Sequence, residues 1–173
     1  MKPLHKVPVI FGSIAGVLGT ALFIGIYYIG PHPFLIPPYS DFRILFFAVF
    51  IFFTLKEIRD LHQGGILYFW QGLIASFIFV GLYAVICSAI IGTFAEVNDE
   101  FVRSYVEQKT AELKTYPADI VEKIGKEVYQ RNLQMLPSTN GFKLASLYLT
   151  QSFIIGAFVS IILSVILRRQ PNP

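Results

Sequence analysis

Residues 66–95 carry no charged side chain, and this uninterrupted apolar stretch limits the possible folds more than any other feature of the chain. A helix needs about 20 apolar residues to cross the hydrocarbon core of a bilayer, and this stretch exceeds that length. Two further apolar stretches, 7–30 and 144–167, are also long enough. The sequence therefore predicts an all-α, polytopic membrane protein.

The composition of the chain supports this prediction. It is 54% hydrophobic and 14% charged, whereas soluble domains average about 25% charged residues. Only lipid can solvate so much apolar surface on a chain of this length, so membrane lipid is the expected surrounding. The formal net charge of +3 is too small to indicate nucleic-acid binding.

The second crossing is predicted over residues 41–58. Its strictly apolar part, 44–55, is shorter than a typical span. Ser40 or Asp41 can cap the start of this helix, and we expect Arg43 and Lys56 to extend their charged groups to the two membrane surfaces. With the third span placed at 66–94, the sequence predicts four transmembrane helices.

The segment before the second span is rich in proline. Four prolines within residues 31–38 exclude a regular helix and predict a stiff, extended, polyproline-like strap.

The composition changes abruptly after the third span. Residues 96–143 hold seven Lys or Arg and eight Asp or Glu, so we expect them to lie outside the membrane. Apolar periodicity predicts a first helix that ends near Lys114. A second helix should end before Pro137 and carry three apolar residues on one face: Ile120, Ile124 and Val128. The insert is therefore predicted to be a helical hairpin between the third and fourth spans.

Small residues recur one helical turn apart in the first and last spans, at Gly12, Gly16, Gly19, Ser152, Gly156, Ser160 and Ser164. Such stripes let neighbouring helix backbones approach closely in lipid. The pattern favours packing within one four-helix unit over a dimer face, although contact with itself or with other membrane proteins stays possible.

Polar groups inside the spans are few. Tyr83 and Gln151 are the candidates for hydrogen bonds between helices, because an unpaired amide in lipid is costly. Cys87 is expected to pack as a small hydrophobe. The three histidines, His5, His32 and His62, have no partners at ligand spacing, so no metal site or cofactor is predicted.

A short charged turn separates the second and third spans, with candidate residues Lys56, Arg59, Asp60, Gly64 and Gly65. It follows an apolar run and leads to Trp70, which suits a membrane interface. No nucleophile, P-loop or metalloprotease motif occurs, so no catalytic residue is predicted. If the chain is a membrane enzyme, Glu57, Arg59 and Asp60 are the residues to test.

The orientation follows from the basic residues at the chain ends. Positive charge marks the cytoplasmic side, and the N-terminal flank of the first span carries Lys2 and Lys6. The far flank has no basic residue before Arg43. We therefore expect both termini in the cytoplasm and residues 96–143 in the periplasm. The inverted topology is the alternative, because the insert also holds seven basic residues.

Taken together, these segments resemble a bacterial family of small membrane proteins, the domain of unknown function 4199. The resemblance rests on the glycine-rich first span, the short second span, the long third span, the charged insert beginning at Phe101 and the terminal Arg168-Arg169. Its most specific part is Lys-x-x-Arg-Asp followed by Gly-Gly, from Lys56 to Gly65. The resemblance implies four spans in a bacterial inner membrane and brings no activity or catalytic residue.

Three functions remain open. A non-enzymatic scaffold or accessory subunit of a membrane assembly fits best, because packing motifs are abundant and no catalytic motif was found. A small oligomeric carrier or channel is disfavoured, because the sequence places no charge in the middle of a span. A membrane enzyme is the third, without a motif to support it.

Overall fold

The computed structural model describes residues 2–170, and the prediction of an all-α chain is confirmed. Three helices are long and apolar enough to cross a membrane: α1 (Pro3–Ile29), α3 (Phe69–Val97) and α7 (Gly141–Leu167). The remaining helices are α2 (Phe42–Glu57), α4 (Asp99–Lys114), α5 (Ala118–Ile124) and α6 (Lys126–Met135).

α3 is the central helix of the bundle and packs against both α1 and α7. Half of its most apolar window is buried, compared with 33% for α1 and 28% for α7. The outward faces of the two outer helices are apolar, as shown by Ile14, Val17, Phe158 and Ile162, which are all more than half exposed. A face of this kind suits a lipid environment.

α2 is shorter than the other apolar helices. Its 16 residues correspond to about 24 Å, less than the hydrocarbon thickness of a bilayer. Asp41 caps its start by accepting a hydrogen bond from the backbone N–H of Arg43 at 2.9 Å. At its other end the helix continues into a single π-helical turn, Ile58–His62.

The proline-rich strap is not extended throughout. Two single 3-10 turns, Pro33–Leu35 and Pro38–Ser40, alternate with polyproline-like residues such as Ile36 and Pro37. Proline suits the first position of such a turn because its missing N–H would have no partner there. The prediction of a uniformly extended strap is therefore wrong in this detail.

The second helix predicted for the insert is in fact two helices. Gly125 separates α5 from α6, with a φ of 94° that residues with a side chain rarely adopt. Apolar periodicity runs through this glycine and therefore suggested one helix. Neither α5 nor α6 contains a buried residue.

Candidate functional site

The only buried charged side chain found among residues 2–170 is Arg43, in the first turn of α2. Its guanidinium pairs with both carboxylate oxygens of Asp41, and Nε lies 2.9 and 3.0 Å from them. Arg43 is 6% exposed. The expectation that this side chain extends to the membrane surface is therefore wrong: its N-cap partner holds it inside the bundle.

α7 supplies the other contacts of Arg43. Nη2 donates to the Gln151 side-chain oxygen at 2.9 Å, and Nη1 donates to the Ser152 hydroxyl at 3.2 Å. The guanidinium carbon lies 4.7 Å from the ring centre of Tyr148, a cation–π distance. Three residues of one helical face, Tyr148, Gln151 and Ser152, thus surround the cation.

This charged pair lies deep in the bundle. Ser152 is about 17 Å along the axis from the first residue of α7, Gly141, at 1.5 Å per residue, and α7 is about 40 Å long. The strap reaches this depth by packing Phe34 edge-to-face on Phe23, with ring centres 5.2 Å apart. Arg43 therefore contradicts the prediction that no charge lies in the middle of a span, because it is buried beside Ser152 of α7.

Hydrogen bonds continue from Tyr148 across the bundle. Its hydroxyl is 2.8 Å from that of Tyr83 on α3. On the same helix, the Cys87 thiol donates a hydrogen bond to the Gly16 carbonyl of α1 at 3.1 Å. Thr20 donates to the same carbonyl at 2.8 Å. Polar contacts therefore join the first turn of α2 to α7, α7 to α3, and α3 to α1.

A cleft of about 190 Å³ adjoins the charged pair between the strap and α7. Asp41, Arg43 and Gln151 line one side of it, and Phe34 and Ile155 are among the apolar residues of its wall. The guanidinium and the carboxylate already satisfy each other, so the site contains no free anion-binding group. No group of three His, Cys, Asp or Glu that could hold a metal occurs within the described part of the chain.

The glycines predicted to mediate packing in α1 face α3. A Cβ added at Gly12 would lie 2.9 Å from the Phe79 carbonyl, and one at Gly16 would lie 3.0 Å from Ile86. At Gly19 the added atom would meet the Tyr83 ring at 2.6 Å. These positions therefore lie against this chain's own central helix.

The stripe on α7 also points into the bundle. Gly156 faces Val80, and Ser164 lies against Gly72 on α3. Ser152, Ser160 and Ser164 are all fully buried, and Ser152 alone of the three has a side-chain partner, Arg43.

The charged turn lies at the other end of α2 from Arg43. Arg59 binds Asp60 at 2.7 Å and holds the pKa of that carboxyl below its usual range. Gly64 and Gly65 have φ values of 58° and 85°, which make the reversal possible. Lys56 lines a separate shallow cleft with Glu57 and Asp60. The structure therefore does not bring the turn residues together with Tyr83 and Gln151.

His32 is a buried structural residue that no sequence pattern indicated. It is 1% exposed, and its Nε2 lies 3.1 Å from the Phe101 carbonyl at the start of α4. Its Nδ1 accepts from the backbone N–H of Phe34 at 3.4 Å. Both contacts fit a neutral ring protonated at Nε2. Its neighbours at ring distance are all aromatic: Tyr27, Phe34, Phe101 and Tyr105.

Burial lowers the pKa of His32 to about 4, partly offset by the bond to the Phe101 carbonyl. Folding therefore favours the neutral ring, so this contribution is complete above the unfolded pKa of about 6.5 and is lost as the pH falls towards 4. We expect stability at pH 5 to be about 2 kcal/mol lower than at pH 8. Unfolding of the detergent-solubilised protein at both pH values measures this.

The control for that experiment is His32→Gln, which cannot titrate. Its stability should change with pH by at least about 1 kcal/mol less than that of the parent chain. An equally steep pH dependence in the variant would assign the effect to other groups, such as His5 or the His62–Glu57 pair.

These features define an all-helical bundle with three helices suited to a membrane, held together by close glycine and serine contacts and by a buried arginine. The chain belongs to the family described as protein of unknown function (DUF4199), whose model matches residues 10–169. This confirms the family resemblance. Searches of curated proteins and of solved structures found no match.

Proposed function

We propose that the chain crosses the membrane four times and that the part of the strap after Pro33, together with α2, forms the second crossing, so that His32 lies outside it. α2 begins near the depth of Ser152, so its helix covers only part of the bilayer. The strap supplies the rest. Irregular backbone is tolerated at membrane depth where protein covers it, and Phe34 packs between Phe23 and Tyr148.

The proposed location is the bacterial inner membrane, with both termini in the cytoplasm and residues 96–143 in the periplasm. The end of the bundle that carries Arg169 also carries the charged turn, because Leu67 and Arg169 exchange backbone hydrogen bonds of 2.9 and 2.8 Å. α1 contacts the same turn at Ile58–His62. Basic residues cluster there: Lys2, Lys6, Lys56, Arg59, Arg168 and Arg169. Such clusters favour the cytoplasmic side.

Labelling of intact cells with a membrane-impermeant maleimide tests this orientation. Glu122→Cys should be labelled and Lys56→Cys should be protected until the cells are opened. The reverse pattern would establish the inverted topology.

We propose further that the protein is a non-enzymatic scaffold or accessory subunit of a membrane assembly. The observation that carries this proposal is the arm formed by residues 118–135, which comprises α5 and α6. No residue of either helix is buried, and Ile124, Val128 and Met135 are 41%, 44% and 54% exposed. Apolar side chains displayed on an extramembrane arm are available for contact with a partner.

The charge of the arm favours a polypeptide partner over the lipid surface. Residues 118–135 hold three acidic and three basic side chains, so their formal charge is zero. Helices that lie on anionic bilayers are instead rich in Lys and Arg on their polar face. The arm is held to the rest of the protein by few contacts, one of which is the 3.2 Å bond from the Tyr129 hydroxyl to the Leu113 carbonyl.

Cross-linking in cells followed by purification in mild detergent tests the scaffold proposal. We expect one defined protein to be recovered with the parent chain. The double variant Val128→Asp, Met135→Asp should lower its recovery at least about tenfold, because burying two carboxylates at an interface is costly.

Gln130→Asp is the matched control, since it adds a carboxylate to the same helix at an exposed polar position. It should retain the partner. Recovery of the monomer alone from the parent chain, or equal losses in both variants, would reject the arm as a contact surface.

A second candidate function is a small carrier, which the buried Asp41–Arg43 pair favours. Charged residues at membrane depth and discontinuous helices are features of transport sites. Solute flux into proteoliposomes that is abolished by Asp41→Asn, Arg43→Met would support a carrier. Absence of flux across a broad set of small solutes would remove this candidate.

A further inference from the structure

Two adjoining clefts lie between α3, α4 and the start of α7, on the side of the bundle opposite the charged turn. The first, of about 420 Å³, is an apolar groove along α3 and α7, with Ala89, Gly92, Phe142 and Ala145 among the residues of its wall. The second, of about 520 Å³, is the more polar of the two, is called the polar cleft below, and lies against α4. Glu96 lines both clefts.

The apolar groove has the properties of a site for a hydrocarbon chain. Its lining is mostly small and apolar, and its volume lies within the range of about 300–1,000 Å³ found for ligand sites. At its inner end is Ser88, which is 7% exposed and whose hydroxyl has no hydrogen-bond partner among residues 2–170. Its outer end opens at Glu96, where the apolar part of α3 stops.

The polar cleft carries more negative than positive charge. Glu96, Asp99 and Glu107 line it together with a single basic residue, Arg103. Arg103 is already bound to Glu100 and lies 4.0 Å from Glu107. Within residues 2–170, Glu96 and Asp99 form no ion pair, so their charge is available to a cation.

The position of Glu96 is set by the start of α7. A Cβ added at Gly141 would lie 2.8 Å from a Glu96 carboxylate oxygen, so the absence of a side chain at Gly141 leaves room for that carboxylate. The backbone N–H groups of the first turn of α7 carry partial positive charge, which stabilises a carboxylate beside them. Glu96 is thereby held at the boundary between the apolar groove and the polar cleft.

We propose that the two clefts together bind one phospholipid whose headgroup ends in a primary amine. An acyl chain occupies the groove between α3 and α7, and the ammonium group lies between Glu96 and Asp99. A primary ammonium donates three hydrogen bonds to carboxylates, whereas a trimethylated amine donates none. The site therefore discriminates between headgroups of equal net charge.

Native mass spectrometry of the full chain released from nanodiscs tests this proposal. The nanodiscs contain equal amounts of phosphatidylethanolamine and phosphatidylcholine with identical acyl chains, so that only methylation of the amine differs. We expect the retained lipid to be enriched about tenfold in phosphatidylethanolamine, as one charge-assisted hydrogen bond would give. Equal retention of the two lipids, the behaviour of a general lipid shell, would overturn the proposal.

Two matched pairs of variants identify the site. Glu96→Gln should reduce the enrichment to less than about threefold, while Glu122→Gln on the distant α5 should leave it unchanged. Ala89→Trp should fill the groove and lower retention of both lipids several-fold, whereas Ile90→Trp on the adjacent exposed position should not.

Glu96 and Glu122 are both exposed, so their variants retain the fold and decide the matter even if Ala89→Trp fails to fold. An enrichment that survives in Glu96→Gln would overturn the assignment of the amine to this carboxylate.

Discussion

Arg43→Met should lower the free energy of unfolding by about 3–5 kcal/mol, because it leaves the carboxylate of Asp41 buried without its counter-ion. Asp41 is only 12% exposed at its side chain, so water does not replace the lost partner. Gln151 and Ser152 lose a donor in the same step. Titration with a denaturing detergent in mixed micelles measures the change.

Arg59→Met is the control for this prediction. Arg59 also pairs with an aspartate, but the pair lies in the exposed turn, with side-chain exposures of 20% and 37%. Exposed pairs stabilise by less than about 1 kcal/mol, so this variant should unfold almost as the parent does. The double variant Asp41→Asn, Arg43→Met should recover part of the loss, since it removes the isolated charge. Equal effects of Arg43→Met and Arg59→Met would contradict a buried pair.

Gly156→Leu should destabilise the bundle by about 3 kcal/mol or more, through overpacking between α7 and α3. A Cβ at this position would already lie 2.5 and 2.6 Å from the two γ-carbons of Val80. Valine has one strongly preferred rotamer in a helix, so it cannot turn aside, and the helices must separate instead. The same unfolding measurement applies.

Two controls test whether Gly156→Leu acts through close packing or whether helical glycines in this chain tolerate no replacement. They are Gly25→Ala and the pair Gly156→Ala with Val80→Ala. Nothing lies within 4 Å of a Cβ added at Gly25, so its replacement should be neutral or stabilising by up to about 1 kcal/mol.

Val80→Ala should destabilise the parent chain but stabilise a Gly156→Ala chain, because it removes both γ-carbons. Additive effects of the two changes would rule out direct contact.

The long helices follow from local sequence because each is specified by its own apolar length. The family follows from the order of those segments and from Lys56 to Gly65. Local sequence also predicts a cap at Ser40 or Asp41, and the structure selects Asp41, whose side chain accepts from the backbone N–H two residues later.

The buried position of the Arg43 side chain cannot be predicted from local sequence. Its partners Gln151 and Ser152 lie 108 and 109 residues away in sequence, and nothing near position 43 specifies them. A long basic side chain at a helix end generally reaches for the interface, and that rule gave the wrong position. His32 was missed for a similar reason, since its acceptor at Phe101 is 69 residues away.

Gly125 illustrates a different limit. The apolar positions on either side of it keep a helical spacing, so the periodic signal passes through the break. The positive φ of Gly125 cannot be predicted from the sequence, because a glycine can occupy helical and left-handed conformations with little difference in energy.

The shortness of α2 has a consequence for the order of biogenesis. When residues 42–57 leave the ribosome, they are too few to partition stably into lipid by themselves, and they carry a guanidinium whose insertion alone costs about 2.5–3.5 kcal/mol. The groups on α7 that accept this guanidinium are synthesised about a hundred residues later. In the four-span topology that we propose, the second crossing is completed only after translation of the last helix. We therefore expect a truncated chain that stops before α7 to leave this segment at the membrane surface.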